Sequence, residues 1–227
     1  MIISASQPYF APYPGFFYKA FCSDVLVLLD TVQFPRGTTW MTRNRFKNDQ
    51  GTLWMTIPVK KKGLGLQRID QVEIFRDGRW PRKYLRSLET TYSDAPWFPD
   101  HFDFIRDLFF PGFVRLVDMN TTIIRYIADL LKVKAKIILL SDLGIEESGD
   151  LLLIRICQAL GATRFLAQEP AKKYIRGESF ENERVQLEFI KPPVPVYPQL
   201  WGGFLPNLSI FDLIFCCGPK ASDIING

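Results

Sequence analysis

The sequence predicts an α/β protein built on a mainly parallel, Rossmann-like sheet, with a β-hairpin insertion and a central helical segment. Three observations lead there. Apolar runs at 1–5 and 25–29 are each closed by polar or Pro-rich residues, as buried strands are. Between them, Gly15 to Cys22 has the length of a short crossover helix, and parallel neighbours need such a crossover. Strand-like and helix-like segments then alternate between 136 and 190, the pattern of a parallel sheet covered by helices.

Taken in order, the first unit reads strand (1–5), Pro-rich loop (QPYFAPYPG), helix (15–22), strand (25–29) and then Asp30. Openings of this kind hold ligands beyond the carboxyl ends of the strands, beside the helix N-terminus. Gln7, Asp30 and Gln33 fall just past a predicted strand. The polar passage from Thr31 to Gly51 is punctuated by Pro35, Gly37 and Gly51 and reads as loop. Thr52 to Val59 alternates and is β-rich, and Ile69 to Phe75 reads the same way. The two are expected to pair as a hairpin beside the sheet, across a basic, Gly-containing loop at Lys60 to Gly65.

Helices follow at 80–92, with Pro81 in its first turn, at 95–109, stopped by Pro111-Gly112, and at 116–131, where Asn120 is an interruption or a cap. A strand at 136–140, a helix at 150–160 ended by Gly161, a strand at 164–167, a short helix at 171–175 and a strand at 185–190 continue the α/β pattern. Pro192, Pro193, Pro195 and Pro198 force an extended segment. The last helix is expected at 208–217, capped by Ser209 or Asn207. The expectation is one domain over residues 1–227, with a helical segment at about 79–131.

Composition narrows the function classes. Hydrophobic residues make up 47% of the 227, which closes a core and argues against disorder. Nothing approaches the roughly 18 apolar residues of a membrane span. Met1 opens a strand-like run with no basic residue before it, so no signal peptide is expected and a cytoplasmic location is. The four cysteines form no CxxC pair and there is one histidine, His101, so metal binding through cysteine is not expected. Residues 1–91 carry a net charge of +7 and residues 92–227 of −3, within a total of +4. A basic N-terminal half points to an anionic partner: phosphate, nucleotide or nucleic acid.

Four constellations are able to carry chemistry. Gln7, Asp30 and Gln33 offer a carboxylate and two amides at strand ends, where Asp30 can accept a proton. Trp40, Arg43, Asn44 and Arg45 offer forked donors and a stacking ring; if extended, Arg43 and Arg45 share a face opposite Asn44. Lys60 to Lys62 with Gly63 and Gly65 make a basic loop without P-loop spacing. Ser209 and Asp212 lack a histidine nearby in sequence, so helix capping explains Ser209 better than a triad does.

The blocks QPYFAPYPGFF, SDVLVLLDTVQF, TRNRFK, WMTIPVK, TTYSDAPWF and LPNLSIFDLIF occur in this order. Together they resemble the WbqC-like family of bacterial and archaeal proteins. Ser6 departs from it, standing where many members carry His or Met. The resemblance implies an association with O-antigen and other surface-polysaccharide biosynthesis, and a glycine or amino-acyl transfer onto a sugar. The family's motif positions fall on Gln7, Pro8, Tyr9, Pro12, Gly15, Asp30, Gln33, Arg43, Asn44 and Arg45, with Tyr92 and Asp212 in the later blocks. The opening is also similar in layout to nucleotidyltransferase-like folds, although PYPGFF replaces their HxGH motif.

Two expectations for function follow. In the first, a transferase acts on an activated small molecule. Asp30 is the base and acts with Gln7; Arg43, Arg45 and Lys60 hold the phosphate or carboxylate; Gln7, Gln33 and Asn44 orient the acceptor, with Tyr9 and Trp40 beside it. Gln7, Asp30, Arg43 and Arg45 are expected in one pocket, the arginines drawn to Asp30. No cofactor is assigned beyond a nucleotide or nucleotide-activated donor. In the second, the chain is an RNA- or aminoacyl-tRNA-binding module that stacks bases on Trp40, Trp54 and Trp80.

Overall fold

The computed structural model describes residues 1–227. Five parallel strands form the sheet: β1 (Ile2–Ser6), β2 (Val25–Leu28), β5 (Lys136–Leu139), β6 (Arg164–Gln168) and β7 (Gln186–Ile190), in the order β5-β2-β1-β6-β7. With the separate hairpin left aside, the chain order across the sheet is third, second, first, fourth, fifth. That matches the first five positions of a doubly wound, Rossmann-like sheet. The expected parallel sheet of 1–5, 25–29 and 136–140 is therefore present, with Ser4 opposite Leu26 and Leu26 opposite Ile137.

All four residues of β2 are buried, because helices and loops cover both faces of the sheet. Leu26 and Leu28 join the larger hydrophobic cluster with Phe16, Phe17 and Ala20 of α1 (Pro14–Phe21). Val25, Val27 and Ile3 join a smaller cluster on the other face with Leu152 and Ile156 of α5 (Gly149–Ala159) and Phe180 of α6 (Gly177–Asn182). Three helices, α2 (Trp80–Tyr92), α3 (Phe98–Asp107) and α4 (Leu116–Leu130), extend the larger cluster. The chain ends with α7 (Ile210–Cys217) and α8 (Ala221–Asn226). Ser209 caps α7, its Oγ accepting from Phe211 N.

The hairpin differs from the sequence expectation. β3 (Arg43–Asn48) pairs with β4 (Gly51–Thr56) in antiparallel register, Arg45 opposite Trp54. Asp49-Gln50 is the turn, and Gly51 follows at φ 103°. A two-residue closure costs less chain entropy than the long basic loop expected between 52–59 and 69–75. That pairing is reduced to the bridge of Val59 with Ile74, and Ile69–Gln71 is a 3-10 turn instead of a strand. The helix expected at 171–175 is likewise a 3-10 turn at Glu169–Lys173, and α6 and α8 were not read from sequence.

The loop from Gln7 to Tyr13 has no regular structure, yet Pro8, Phe10, Ala11 and Pro12 are all buried. Its carbonyls must find donors, and three distant segments supply them. Asn44 of β3 donates through Nδ2 to Phe10 O (3.1 Å) and Ala11 O (2.6 Å). Asn120, in the middle of α4 and not at a cap, donates to Pro8 O (2.8 Å) and Met41 O (2.9 Å). Ser209 Oγ donates to Ala11 O (3.0 Å), and Ile210 N to Pro12 O (2.8 Å). Ala11 is held at φ 41°, a left-handed conformation that these bonds enforce. At the helix entry, Tyr13 Oη donates to Gln168 Oε1 (2.9 Å), and Gln168 Nε2 donates to Gly15 O (2.9 Å).

Two outcomes follow for stability. Asn120→Ala leaves the buried Pro8 and Met41 carbonyls without that donor and should destabilise by about 1–3 kcal/mol, read as a lower urea midpoint at unchanged slope. Gly15→Ala places a Cβ 2.5 Å from Tyr13 Cε2 and 3.0 Å from Pro192 Cβ. The Tyr13 ring is tethered at its hydroxyl, so the clash should cost about 1–3 kcal/mol in the same measurement.

Candidate functional site

The chain leaves β1 toward β2 on one side and later adds β6 on the other, so β1 and β6 flank the switch in strand order. Open α/β sheets bind ligands outside the carboxyl ends of the strands at such a point. Here a crevice of about 610 Å³ opens at that edge. Ser6 and Gln7 come from the end of β1, Gln168 from the end of β6, Tyr9 and Tyr13 from the loop, and Lys19 from α1. Gly149 and Asp150, at the N-terminus of α5, form another wall.

A second cleft, of about 370 Å³, shares Tyr9, Tyr13 and Gln168 with the first. Trp40, Arg45 and Asn207 line its outer side. Arg45 Nη2 donates to Pro206 O (3.0 Å) and Asn207 O (2.9 Å), while its Nε–H is buried without a partner. No carboxylate pairs with Arg45 or Lys19, so the second cleft has an unneutralised cation in its wall and the first an amine without a counter-ion.

Lys19 is the residue that the sequence reading missed. It is 5% exposed. Its Nζ donates to Ala5 O (2.7 Å) and to Ser6 Oγ. Burial pushes its amine down to about 7 from the usual 10.5. The signal was present: Lys19 stands three and four residues after Phe16 and Gly15, on the buried stripe of α1. Gln168 was missed as well, because a glutamine at the end of a strand carries no pattern of its own.

The residues expected to act together are dispersed. Gln7 lies in the first cleft, Tyr9 in both, and Trp40, Asn44 and Arg45 in the second. Asn44 is 3% exposed; its amide hydrogens go to the loop, and Oδ1 accepts from Arg45 N (2.8 Å). Asp30, 2% exposed, lines neither cleft. Its Oδ1 accepts from Ser141 N (3.0 Å) and its backbone oxygen from Asp70 N (2.8 Å). The arginines are not drawn to it. Arg45 is held by Pro206 and Asn207, and the Arg43 guanidinium lies 3.8 Å from the Trp54 ring centroid. Gln33 lines a third cleft with Arg68 and Ser141. Lys60 pairs with Glu73 (2.7 Å) on the surface.

The later motif residues meet away from the crevice. Tyr92 Oη donates to Asp212 Oδ1 (2.7 Å) and Tyr197 Oη to Oδ2 (2.8 Å), and Lys47 N donates to Tyr92 Oη (3.1 Å). Burial raises the Asp212 carboxyl while the two tyrosine hydroxyls oppose that rise. His101 is buried and hydrogen-bonded to the partly buried Tyr126 Oη (2.7 Å), and burial lowers its imidazole. No three His, Cys, Asp or Glu side chains gather where a metal ion would fit, and no helix is long and apolar enough to cross a membrane.

The lowered Lys19 amine links stability to pH. Between about 7 and the ordinary 10.5 the unfolded chain holds a proton there that the folded chain has lost, so stability rises with pH in that window. The gain is at most about 1.4 kcal/mol per pH unit. Lys19→Met should abolish this rise, so denaturant titrations of both proteins across the window should diverge in favour of the wild type as pH increases.

No solved structure matches the chain. It is similar to the uncharacterized protein Rv1507c of Mycobacterium tuberculosis (strain ATCC 25618 / H37Rv), with 28% identity over 226 residues, which cover 98% of this chain and 96% of that protein. The model of the WbqC-like protein family matches residues 7–224, from the first residue of the crevice loop to the final helix. The chain belongs to the WbqC-like protein family.

Proposed function

We propose that the protein is a transferase that moves an amino-acyl or related group from an activated, anionic donor onto a sugar or other small acceptor, as in surface-polysaccharide biosynthesis. The observation that carries this reading is the pair of clefts joined through Tyr9, Tyr13 and Gln168. A two-substrate reaction needs adjoining sites that hold the reacting groups within contact of one another. The Arg45 guanidinium fits the charge of a phosphate- or carboxylate-bearing donor. Arg45 lines the second cleft beside Trp40, whose half-exposed ring offers a face to a sugar or base.

In this reading Gln7 orients the reacting group in the larger crevice and Arg45 holds the donor's anionic part. Asn44 and Asp30 act as positioning residues: Asn44 fixes the loop, and Asp30 ties the end of β2 to the segment after β5 through Ser141 N. A nucleotide-activated donor accords with the doubly wound strand order, an argument from fold analogy alone.

A second reading, an RNA or aminoacyl-tRNA partner, has one observation of its own. Trp40 and Trp54 are 45% and 43% exposed, their ring centroids are 5.7 Å apart, and Arg43 lies over Trp54. Such a platform can stack bases. Salt separates the two readings, because binding through many phosphates weakens steeply as salt rises.

The test is a thermal-shift screen with nucleotide sugars, aminoacyl phosphate analogues and RNA oligomers at low and high salt. A small anionic ligand should raise the melting temperature with little loss at high salt. Arg45→Lys should weaken that ligand by tenfold or more, about 1.4 kcal/mol, because the fork is lost although the charge remains. Stabilisation by RNA alone, vanishing at high salt, would overturn the transferase reading.

A further inference from the structure

Ser6 ends β1 at the floor of the larger crevice, and its hydroxyl oxygen is hydrogen-bonded by the amine of Lys19. A third group fixes the amine: Lys19 Nζ also donates to Ala5 O (2.7 Å). A nucleophile, a base within reach of it, and a group that orients the base are the parts of an activated-nucleophile site. The base has no carboxylate partner to hold it protonated. Gln7, the next residue, makes no side-chain hydrogen bond within the chain and lines the same crevice, so its amide is available to a developing oxyanion.

We propose that Ser6 and Lys19 form a serine–lysine pair that carries the acyl group as a covalent ester on Ser6 Oγ, a step that rests on the acyl-transfer reading above. In the first half-reaction Ser6 Oγ attacks the acyl carbonyl carbon, and its proton passes to Lys19 Nζ. The bond from the carbonyl carbon to the donor's leaving group then breaks, and the leaving group takes up the proton from Lys19. In the second half, the acceptor hydroxyl or amine gives its proton to Lys19 and attacks the ester carbon. The bond from that carbon to Ser6 Oγ then breaks, the acyl group leaves on the acceptor, and Ser6 Oγ recovers its proton from Lys19. No oxidant, metal or further co-reactant is needed. The same Nζ–Oγ contact serves both directions: the ammonium donates to the hydroxyl, and the neutral amine accepts from it.

The amine is available as a base near neutral pH because burial has lowered it. The other titratable groups sharing its crevice are Tyr9, Tyr13, Tyr174 and Asp150, with Tyr18 on its own helix and Cys22 at that helix's C-cap. Burial raises Tyr9 and Tyr13, which keeps both neutral in this range. Asp150, the one acid among them, accepts a hydrogen bond from Arg176 N (2.9 Å).

The pair is testable without knowing the natural donor. The full chain is treated with p-nitrophenyl acetate, p-nitrophenolate release is followed, and the acetyl group is mapped by peptide mass spectrometry. A burst of about one equivalent is expected, with the acetyl on Ser6 and a rate that rises with pH through the Lys19 titration. Ser6→Ala should abolish the burst. Lys19→Arg keeps a cation and hydrogen-bond donors but cannot lose its proton, so acylation should slow by on the order of a hundredfold while the melting temperature shows a folded protein. An acetyl group on Lys19 or elsewhere, no burst at all, or a Lys19→Arg protein that acylates at the wild-type rate would overturn the pair. Acetylation of Ser6 in a chain that binds no small anionic donor keeps the pair and sinks the transfer reading. Acyl transfer that survives in Ser6→Ala sinks the pair alone.

Discussion

A buried loop of prolines must still satisfy its carbonyl oxygens, and that requirement organises the molecule. Pro8, Pro12 and Pro14 contribute acceptors and no donors, so the segment after β1 cannot close its hydrogen bonds by itself. Donors come from the hairpin (Asn44), from the centre of α4 (Asn120) and from the cap of α7 (Ser209). Segments far apart in sequence are thereby fixed to the edge of the sheet where the crevice opens. Each donor is a short polar side chain buried for this purpose, which is why Asn120 interrupts neither the path of α4 nor its packing.

What was legible in the sequence was local and periodic. The runs of β1, β2 and β5, each too short for a helix and bounded by turn residues, appear as parallel strands. The three central helices lie close to where Pro81 and the Pro111-Gly112 step delimit them, the second starting at Phe98 instead of 95. The hairpin was hidden because RNRFKN carries little hydrophobic alternation; Phe46 and the polar Asn44 make the buried face, and Lys47 is also buried, beside Gln199. The grouping of the candidate side chains was not legible either. Both Gln7 and Asp30 follow a strand, but Gln7 opens onto the crevice while Asp30 turns inward to Ser141 N, a partner more than a hundred positions away that no local pattern announces.

Polar burial takes two forms in this chain. Around Asp212 the two tyrosine hydroxyls satisfy both carboxylate oxygens, and the network joins α7 to α2 and to the Pro-rich segment before it. Every member has a partner there, the condition under which a buried polar cluster adds rigidity. At Lys19 the balance is different: an amine is buried against a carbonyl and a hydroxyl, with no opposite charge to offset the desolvation of its charged form. The first arrangement is suited to holding elements together. The second leaves a group whose protonation state is easily changed, at the edge where a ligand would arrive.

Gln168 spends both ends of its amide on the same short stretch, accepting from the Tyr13 hydroxyl and donating to the Gly15 carbonyl. Tyr13 is a wall of both clefts, and Gln168 sits at their common boundary. Tyr9 apart, the partition between the two compartments is thus one hydrogen-bonded unit rather than two independent side chains. Where Tyr13 forms that partition, moving its ring to widen one compartment narrows the other, so the volumes open to two bound molecules are coupled.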